Sequence, residues 1–273
     1  MLFTARVLEK LQFEARKFSP RWALRLKRFE SVESVQLRLM REAYPEDVGG
    51  THPLVSVIVP TYNRASLLLE RAVRSIQDQS YSNWEMIIVG DHCTDDTGLR
   101  LRSVGDARIR FLNLSHRHQY PASGRKRWAV AGSVPINRAL MEARGDWIVY
   151  SDDDVVSVPD RIALGLEVAR ETGAELVYGR TEREHEDGVW RTITDVGFAN
   201  PRMPYRRPPV THVAFMYRSY LRTFLYDSES YRDNITTDRD RNYRLARAGV
   251  RTAPVDSVLV RVPRTRSASA AAE

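Results

Sequence analysis

The 273-residue chain has a single cysteine, Cys93, so no internal disulfide can form and nothing ties it to an oxidising compartment. The same scarcity excludes a cysteine-rich zinc ribbon or finger. No apolar run approaches the roughly 18 residues that a membrane-spanning helix needs. The opening residues set Arg6, Glu9 and Lys10 where a signal peptide requires an apolar stretch, so the expectation is a cytoplasmic protein. No G-x-G-x-x-G or G-x-x-x-x-G-K follows the first strand-like run, which argues against a nicotinamide dehydrogenase and a P-loop NTPase. Internal repeats are also missing. What remains, with 42% hydrophobic and 28% charged residues, is the composition of a soluble globular chain long enough to bury a full core.

Lys and Arg number 42 against 35 Asp and Glu, a net charge of +7, which suggests an anionic partner. Residues 1–45 carry ten of the cations and only five Glu, so +5 of the +7 falls there and the remainder is nearly balanced. This stretch reads as a basic helical arm. Phe3, Val7, Leu8 and Leu11 recur at helical spacing, as do Trp22, Leu26 and Phe29, with Pro20 between the runs and Arg21, Arg25 and Arg28 on another face. Two readings stay open: helices packed on the body or a second subunit, or a basic surface touching anionic lipid. Pro45 to Pro53, with Gly49 and Gly50, reads as the hinge.

From Leu54 the pattern changes. Leu54–Val59, Trp84–Val89, Ile109–Leu112, Trp147–Tyr150 and Leu176–Tyr178 read as strands, and the first is apolar throughout, as in a strand covered on both faces. Helices are expected over Ala65–Gln77, Pro135–Arg144 and Pro159–Thr172. After Gly179 the order loosens. Arg202–Pro209 reads as an irregular connection, Thr211–Tyr217 as a strand, Tyr220–Leu225 and Asp238–Ala248 as helices, and Val258–Val262 as a last strand. The tail from Ser267 reads as disordered. The alternation predicts an α/β fold with an open, mainly parallel, Rossmann-like sheet and helices on both faces.

Ligands of such sheets sit beyond the carboxyl ends of the strands. After the first strand come Pro60-Thr61-Tyr62-Asn63-Arg64, where Tyr62 can stack on a base and Arg64 can face a phosphate. After the second, Asp91 can accept hydrogen bonds from a base edge. The strongest local signal is Asp152-Asp153-Asp154 directly after a buried strand. Three adjacent carboxylates repel one another, and a hard divalent cation removes that cost, although a helix cap on an exposed turn is the alternative. Near the end, Asp240 and Arg244 are spaced to pair along a helix, a structural role. Asp238, at the helix start with Asn242 rather than a cation four residues on, is kept ionised by the helix dipole, as a general base for a hydroxyl must be. The alternative is a first-turn acid with no role.

Together these segments resemble the inverting nucleotide-sugar glycosyltransferases of family 2, which have the GT-A fold. The likeness runs from about Pro53 to Val262. It is carried by Val55-Ser-Val-Ile-Val-Pro-Thr-Tyr-Asn-Arg64, Gln79-Ser80-Tyr81, Trp84-Glu85, Pro135-Ile-Asn-Arg-Ala139, Gly145-Asp146-Trp147-Ile148, the Asp triplet, Pro159-Asp-Arg161 and Thr237-Asp238. His212 to Arg218, and the triplet through Arg161, are also similar to bacterial spore-coat polysaccharide glycosyltransferases. With the arm and tail read above, the expected division is an arm over 1–50, a GT-A domain over 51–264 that carries the resemblance, and a tail over 265–273. Within the domain, a nucleotide half (about 53–155) precedes an acceptor half (about 156–264). The resemblance implies that Pro60, Thr61 and Tyr62 hold base and ribose, that Asp91 meets the uracil edge, and that Asp153 lies near the ribose with Asp152 beside it. Asp154 would bind Mg²⁺ or Mn²⁺, Asp238 would be the catalytic base, and Arg64 with one of Arg125, Lys126 or Arg127 would face the diphosphate. The implied reaction moves one sugar from a nucleoside diphosphate sugar, with UDP expected, to an acceptor hydroxyl, the cation neutralising the departing diphosphate.

The chain departs from the family at Gly90-Asp91, where two carboxylates are usual, and at His92-Cys93, where Gly-Ser or Asn-Ser is usual. It also lacks the C-terminal Q-x-x-R-W of processive synthases, so a single transfer per encounter is expected. Three readings rival this one: a sugar nucleotidyltransferase on a similar sheet, an inactive nucleotide-sugar binding module, and a nucleic-acid binder suggested by net charge alone.

Overall fold

The computed structural model describes residues 20–44, 50–122, 124–193 and 212–265. Strand β1 (Val55–Thr61) is buried along nearly its whole length, because its β-branched residues have no polar face to turn outward. It lies between β2 (Trp84–Gly90) and β4 (Trp147–Tyr150), and β3 (Ile109–Asn113) flanks β2; all four run parallel. Chain order therefore reverses between β1 and β4, which opens a crevice at their carboxyl ends. Gly145 lets β4 enter beside β1: a Cβ there would lie 2.6 Å from the Leu54 carbonyl oxygen.

Between these strands run α2 (Ala65–Leu67, a π-helical Leu68–Val73, then Arg74–Gln77), α3 (Thr97–Ser103), α4 (Gly124–Val130) and α5 (Ser133–Glu142). Helix α5 starts two residues before Pro135, after Gly132 at φ +83°. Proline fits there because first-turn amides have no intrahelical acceptor.

Beyond β4 the sheet becomes mixed. Strand β5 (Val156–Ser157), α6 (Arg161–Thr172), β6 (Leu176–Glu184), β7 (Trp190–Thr192), β8 (Phe215–Arg218), α7 (Thr237–Ala248) and β9 (Thr252–Val262) complete it. Strand order is β3-β2-β1-β4-β8-β6-β9-β5, with β8 antiparallel to both β4 and β6. Thr211–Tyr217 was expected as one strand, and Thr211 lies outside the described residues. His212–Ala214 instead forms a 3-10 turn before β8, because the Arg161 guanidinium draws in the carbonyls of Val213 (2.5 Å) and Phe215 (3.3 Å). Tyr220–Leu225 is likewise a 3-10 turn over Ser219–Thr223 rather than an α-helix. The first arm run, Arg202–Pro209 and the tail from Ser267 lie outside the described residues.

Within the arm, α1 (Pro20–Ala43) is one continuous helix beginning at the proline, and it packs on α7. Leu37 joins the core. Arg25 binds Asp227 and, at 3.0 Å, Asp233; Glu33 meets Arg244 at 3.2 Å; Glu30 meets Arg247 at 2.8 Å. Arg41 grips both oxygens of buried Glu175 at 2.6 Å. The described arm thus spends much of its charge on acids of the body. A cavity of about 470 Å³ sits at this joint, beside Tyr44, Trp147 and Glu175, at the opposite end of β4 from the acidic triplet.

Candidate active site

The loops leaving β1 and β2 are clasped together. Asn63 and His92 both adopt left-handed backbone, at φ +51° and +61°. Asn63 accepts the Thr94 amide at 2.8 Å and donates to its hydroxyl at 3.1 Å. Asn113, ending β3, accepts the Cys93 amide at 2.7 Å and donates to its carbonyl at 2.8 Å. A Cβ on Gly90 would lie 2.6 Å from the Asn113 amide oxygen and 2.9 Å from Cys93 Sγ, so glycine suits these side-chain positions. Asp91 follows, buried, with one oxygen lacking a hydrogen-bond partner and the other 3.7 Å from Arg117 Nε. The Arg117 guanidinium also covers the Tyr62 ring at 3.5 Å. Tyr120 closes the pocket; burial and the Asp91 carboxylate push its phenol well above the ordinary range.

The triplet follows β4. Asp153 is buried and accepts from Thr61 Oγ1 at 2.8 Å and from Arg64 at 3.2 Å. Burial raises its carboxyl to about 6, against the opposing pull of Thr61 and Arg64. Arg64 also reaches Asp154 at 3.3 Å, so in this structure the guanidinium lies on the carboxylates. Burial likewise raises Asp152, which accepts from the Tyr150 hydroxyl. Arg71, in the π-helical turn, donates to the Asp154 carbonyl at 3.0 Å and to those of Pro263 (3.0 Å) and Arg264 (3.1 Å).

Among the described residues no three His, Cys, Asp or Glu side chains converge into a metal cage. The donor set nevertheless fits a hard cation that takes its other ligands from a diphosphate. Asp154 offers a carboxylate that is 31% exposed, and its facing cation, Arg64, is half exposed and able to move aside.

Across the crevice Asp238 stands in the first turn of α7. His212 Nδ1 lies 3.3 Å from its carboxylate, and the imidazole meets the Tyr150 ring edge-on at 4.2 Å between centroids. Burial alone would raise Asp238, but the His212 contact and charge hold it down at about 2. Conversely, burial would lower His212, and the neighbouring Asp238 and Asp152 raise it above its ordinary value. The Asp240–Arg244 pair forms at 3.2 Å, with both residues buried.

Thr61, Arg64, Asp153 and Asp154 are thus in direct contact, Arg117 joins Tyr62 to Asp91, and His212 stands between Asp152 and Asp238. Pro60 pairs with Val89 at the strand end. Lys126 is exposed on α4. Sequence reasoning passed over Arg117 and Tyr120, and gave His212 and Arg161, both inside quoted likenesses, no role of their own. Yet Arg161, fully buried, donates to the Tyr150 carbonyl (2.8 Å) as well as to Val213, and so ties the triplet's strand to the His212 turn. Burial lowers its guanidinium to about 9.

A model of the family described as glycosyl transferase family 2 matches residues 56–228. A Campylobacter jejuni GalNAc(5)-diNAcBac-PP-undecaprenol beta-1,3-glucosyltransferase is 30% identical over 147 residues, covering 53% of this chain and 43% of that protein. The chain spans less than half the length of the first curated relatives it matches. Among solved structures, Staphylococcus aureus TarS 1–349 with UDP-GlcNAc aligns at TM-score 0.58 and 18% identity, covering 80% of this chain and 61% of that one. The Pyrobaculum calidifontis mannosyltransferase PcManGT, with GDP-Man and Mn²⁺, aligns at TM-score 0.55 and 18% identity, covering 92% and 70%. Both share the GT-A architecture seen here. With the family model spanning more than half of its residues, the chain is a member of glycosyl transferase family 2.

Proposed function

We propose that the protein transfers one sugar from a UDP-sugar to a hydroxyl of a glycan or lipid-linked acceptor, with inversion at the anomeric carbon. The observation that carries this reading is the ionised Asp238 carboxylate facing the acidic triplet across the crevice, with His212 between them. Pro60, Thr61 and Tyr62 hold base and ribose, with Asp91 at the base edge. Arg117 leaves the face of Tyr62 to make room, and its guanidinium meets phosphate. Asp153 orients the ribose through its bond to Thr61. Asp154 holds Mg²⁺ or Mn²⁺, which when bound neutralises the departing diphosphate.

The acceptor oxygen attacks the anomeric carbon as the bond from that carbon to the diphosphate oxygen breaks. Its proton passes to Asp238. A carboxylate held as low as 2 suffices, because the attacking oxygen becomes oxonium-like as the new bond forms and is then far more acidic than an alcohol. His212 fixes the carboxylate, a quarter of whose side chain stays exposed to receive the acceptor proton. The lipid-linked option is supported by the relative's glucosyltransferase name. The test incubates the protein with UDP-sugars, Mn²⁺ and candidate acceptors and follows nucleoside diphosphate release. Release of pyrophosphate instead would favour the nucleotidyltransferase reading, and binding without turnover the inactive module.

A further inference from the structure

Between Asp106 and Glu142 the sequence has no acidic residue, yet it holds Arg108, Arg110, Arg117, Arg125, Lys126, Arg127 and Arg138. Carboxylates take four of these: Asp106 binds Arg108 at 2.8 Å, Glu85 binds Arg110 at 3.1 Å, Asp91 lies 3.7 Å from Arg117, and Glu142 binds Arg138 at 2.6 Å. Arg125, Lys126 and Arg127 are left, exposed on α4, with no ion pair among the described residues. Beside them Trp128 is 75% exposed. Among the described residues this indole stays open to solvent while adjoining three cations, which leaves it free to meet something outside.

Helix α4 packs on the Ser230–Asp233 turn, and α1 grips the same turn through Arg25 and Asp233. Leu24 of α1 and Leu225, close in sequence to that turn, are also exposed. Two elements that expose large apolar side chains amid cations therefore border one segment, and that segment leads into Asp238. A nucleotide is gripped inside a crevice, whereas this face is open. A tryptophan set among adjacent cations suits the interface of an anionic bilayer, where the indole sits at headgroup level and each cation gains attraction. We propose that the Arg125-Lys126-Arg127-Trp128 face of α4, with the Leu24 end of α1, seats the protein on an anionic lipid surface, the acceptor side of the crevice toward the bilayer. The surface rests on charge and exposure alone, so failure of the transfer reading leaves it standing.

Flotation of the full chain with phosphatidylcholine vesicles, with and without roughly one-third phosphatidylglycerol, tests this. Binding is expected for the anionic vesicles only, and should weaken as salt rises. Each charge removed should cost about fivefold in partitioning, so R125Q/K126Q/R127Q together lose about a hundredfold. Trp128→Ala loses about tenfold and Trp128→Phe recovers part of it. These side chains are exposed, and unchanged circular dichroism shows that the variants fold. Equal binding to neutral vesicles, or variants that bind like the parent chain, would overturn the proposal. So would release of bound protein by free UDP, which would return the cations to the donor, or retention by an oligonucleotide without retention by vesicles.

Discussion

The two walls of the crevice are built on different principles. The β1–β2–β4 wall is set by backbone: parallel register delivers Thr61, Asp91 and the Asp triplet to one level, and short loop clasps such as Asn63 to Thr94 trim the remainder. The wall carrying Asp238 and His212 has no such register. It is held by buried guanidinium groups, Arg161 on carbonyls of β4 and the His212 turn, Arg241 on Phe224, and Arg244 between Asp240 and Glu33 of the arm. A wall made by register tolerates the loss of one side chain, whereas a wall made by charged staples does not.

The sharpest break in that comparison is at the chemistry. Asp238→Asn should lower turnover about a thousandfold while UDP-sugar affinity, measured by calorimetry, survives. Preserved turnover would remove Asp238 from its role. Arg161→Met should cost about 3 kcal/mol in denaturant unfolding, since it strands the Tyr150 and Val213 carbonyls. A loss below about 1 kcal/mol would mean that the second wall does not depend on its staples. On the first wall, Asp154→Ala should leave the melting temperature nearly unchanged and remove about a hundredfold of Mn²⁺-dependent nucleotide affinity. Affinity that ignores the metal in the parent chain would refute the assignment.

Acidity sharpens the contrast further. Burial lifts Glu33 to about 7, opposed by Arg244 and reinforced by Asp240. The folded chain therefore binds that proton more tightly than the unfolded chain between about pH 4.5 and 7, and stability should fall as pH rises through 7. His212 acts in the same sense: its raised value gives stability that is complete below about 6.5 and lost as pH passes the folded value. Thermal midpoints should decline from about pH 5 to 8, and Glu33→Gln should flatten the decline. A slope unchanged in that variant would place the titration elsewhere. The smallest effect is expected at Arg25→Gln, about 1 kcal/mol, because the side chain is a quarter exposed and solvent shares its ion pairs.

The first wall was legible in the sequence and most of the second was not. Val55–Val59 announces a strand covered on both faces because no residue in it is polar enough to face water except Ser56. The triplet announces itself because adjacent carboxylates need a reason to coexist. Asp238 was readable from its place in a first turn. His212 and Arg161 carry no such mark: what makes them matter is the arrival of a carboxylate 26 residues away and a carbonyl 52 residues away in the chain, which spacing does not encode. The charge arithmetic misled in a different way. Counting +5 onto the arm left a remainder that looked neutral, and that average concealed seven cations between Asp106 and Glu142 with no acid among them. Of the described arm cations, in contrast, Arg25 is matched by Asp227 and Asp233 and Arg41 by Glu175.

Arg71 has three carbonyl acceptors, one on Asp154 and two on Pro263 and Arg264, just past the last strand. A chain cut after Val262 would keep every strand and every candidate ligand, yet Arg71 would lose two of its three anchors. A tag fused close behind residue 264 pulls on the same knot. Expression boundaries chosen by secondary structure alone would therefore reach the Asp154 turn from almost 110 residues downstream, and the distance is short only through one arginine in a π-helical turn.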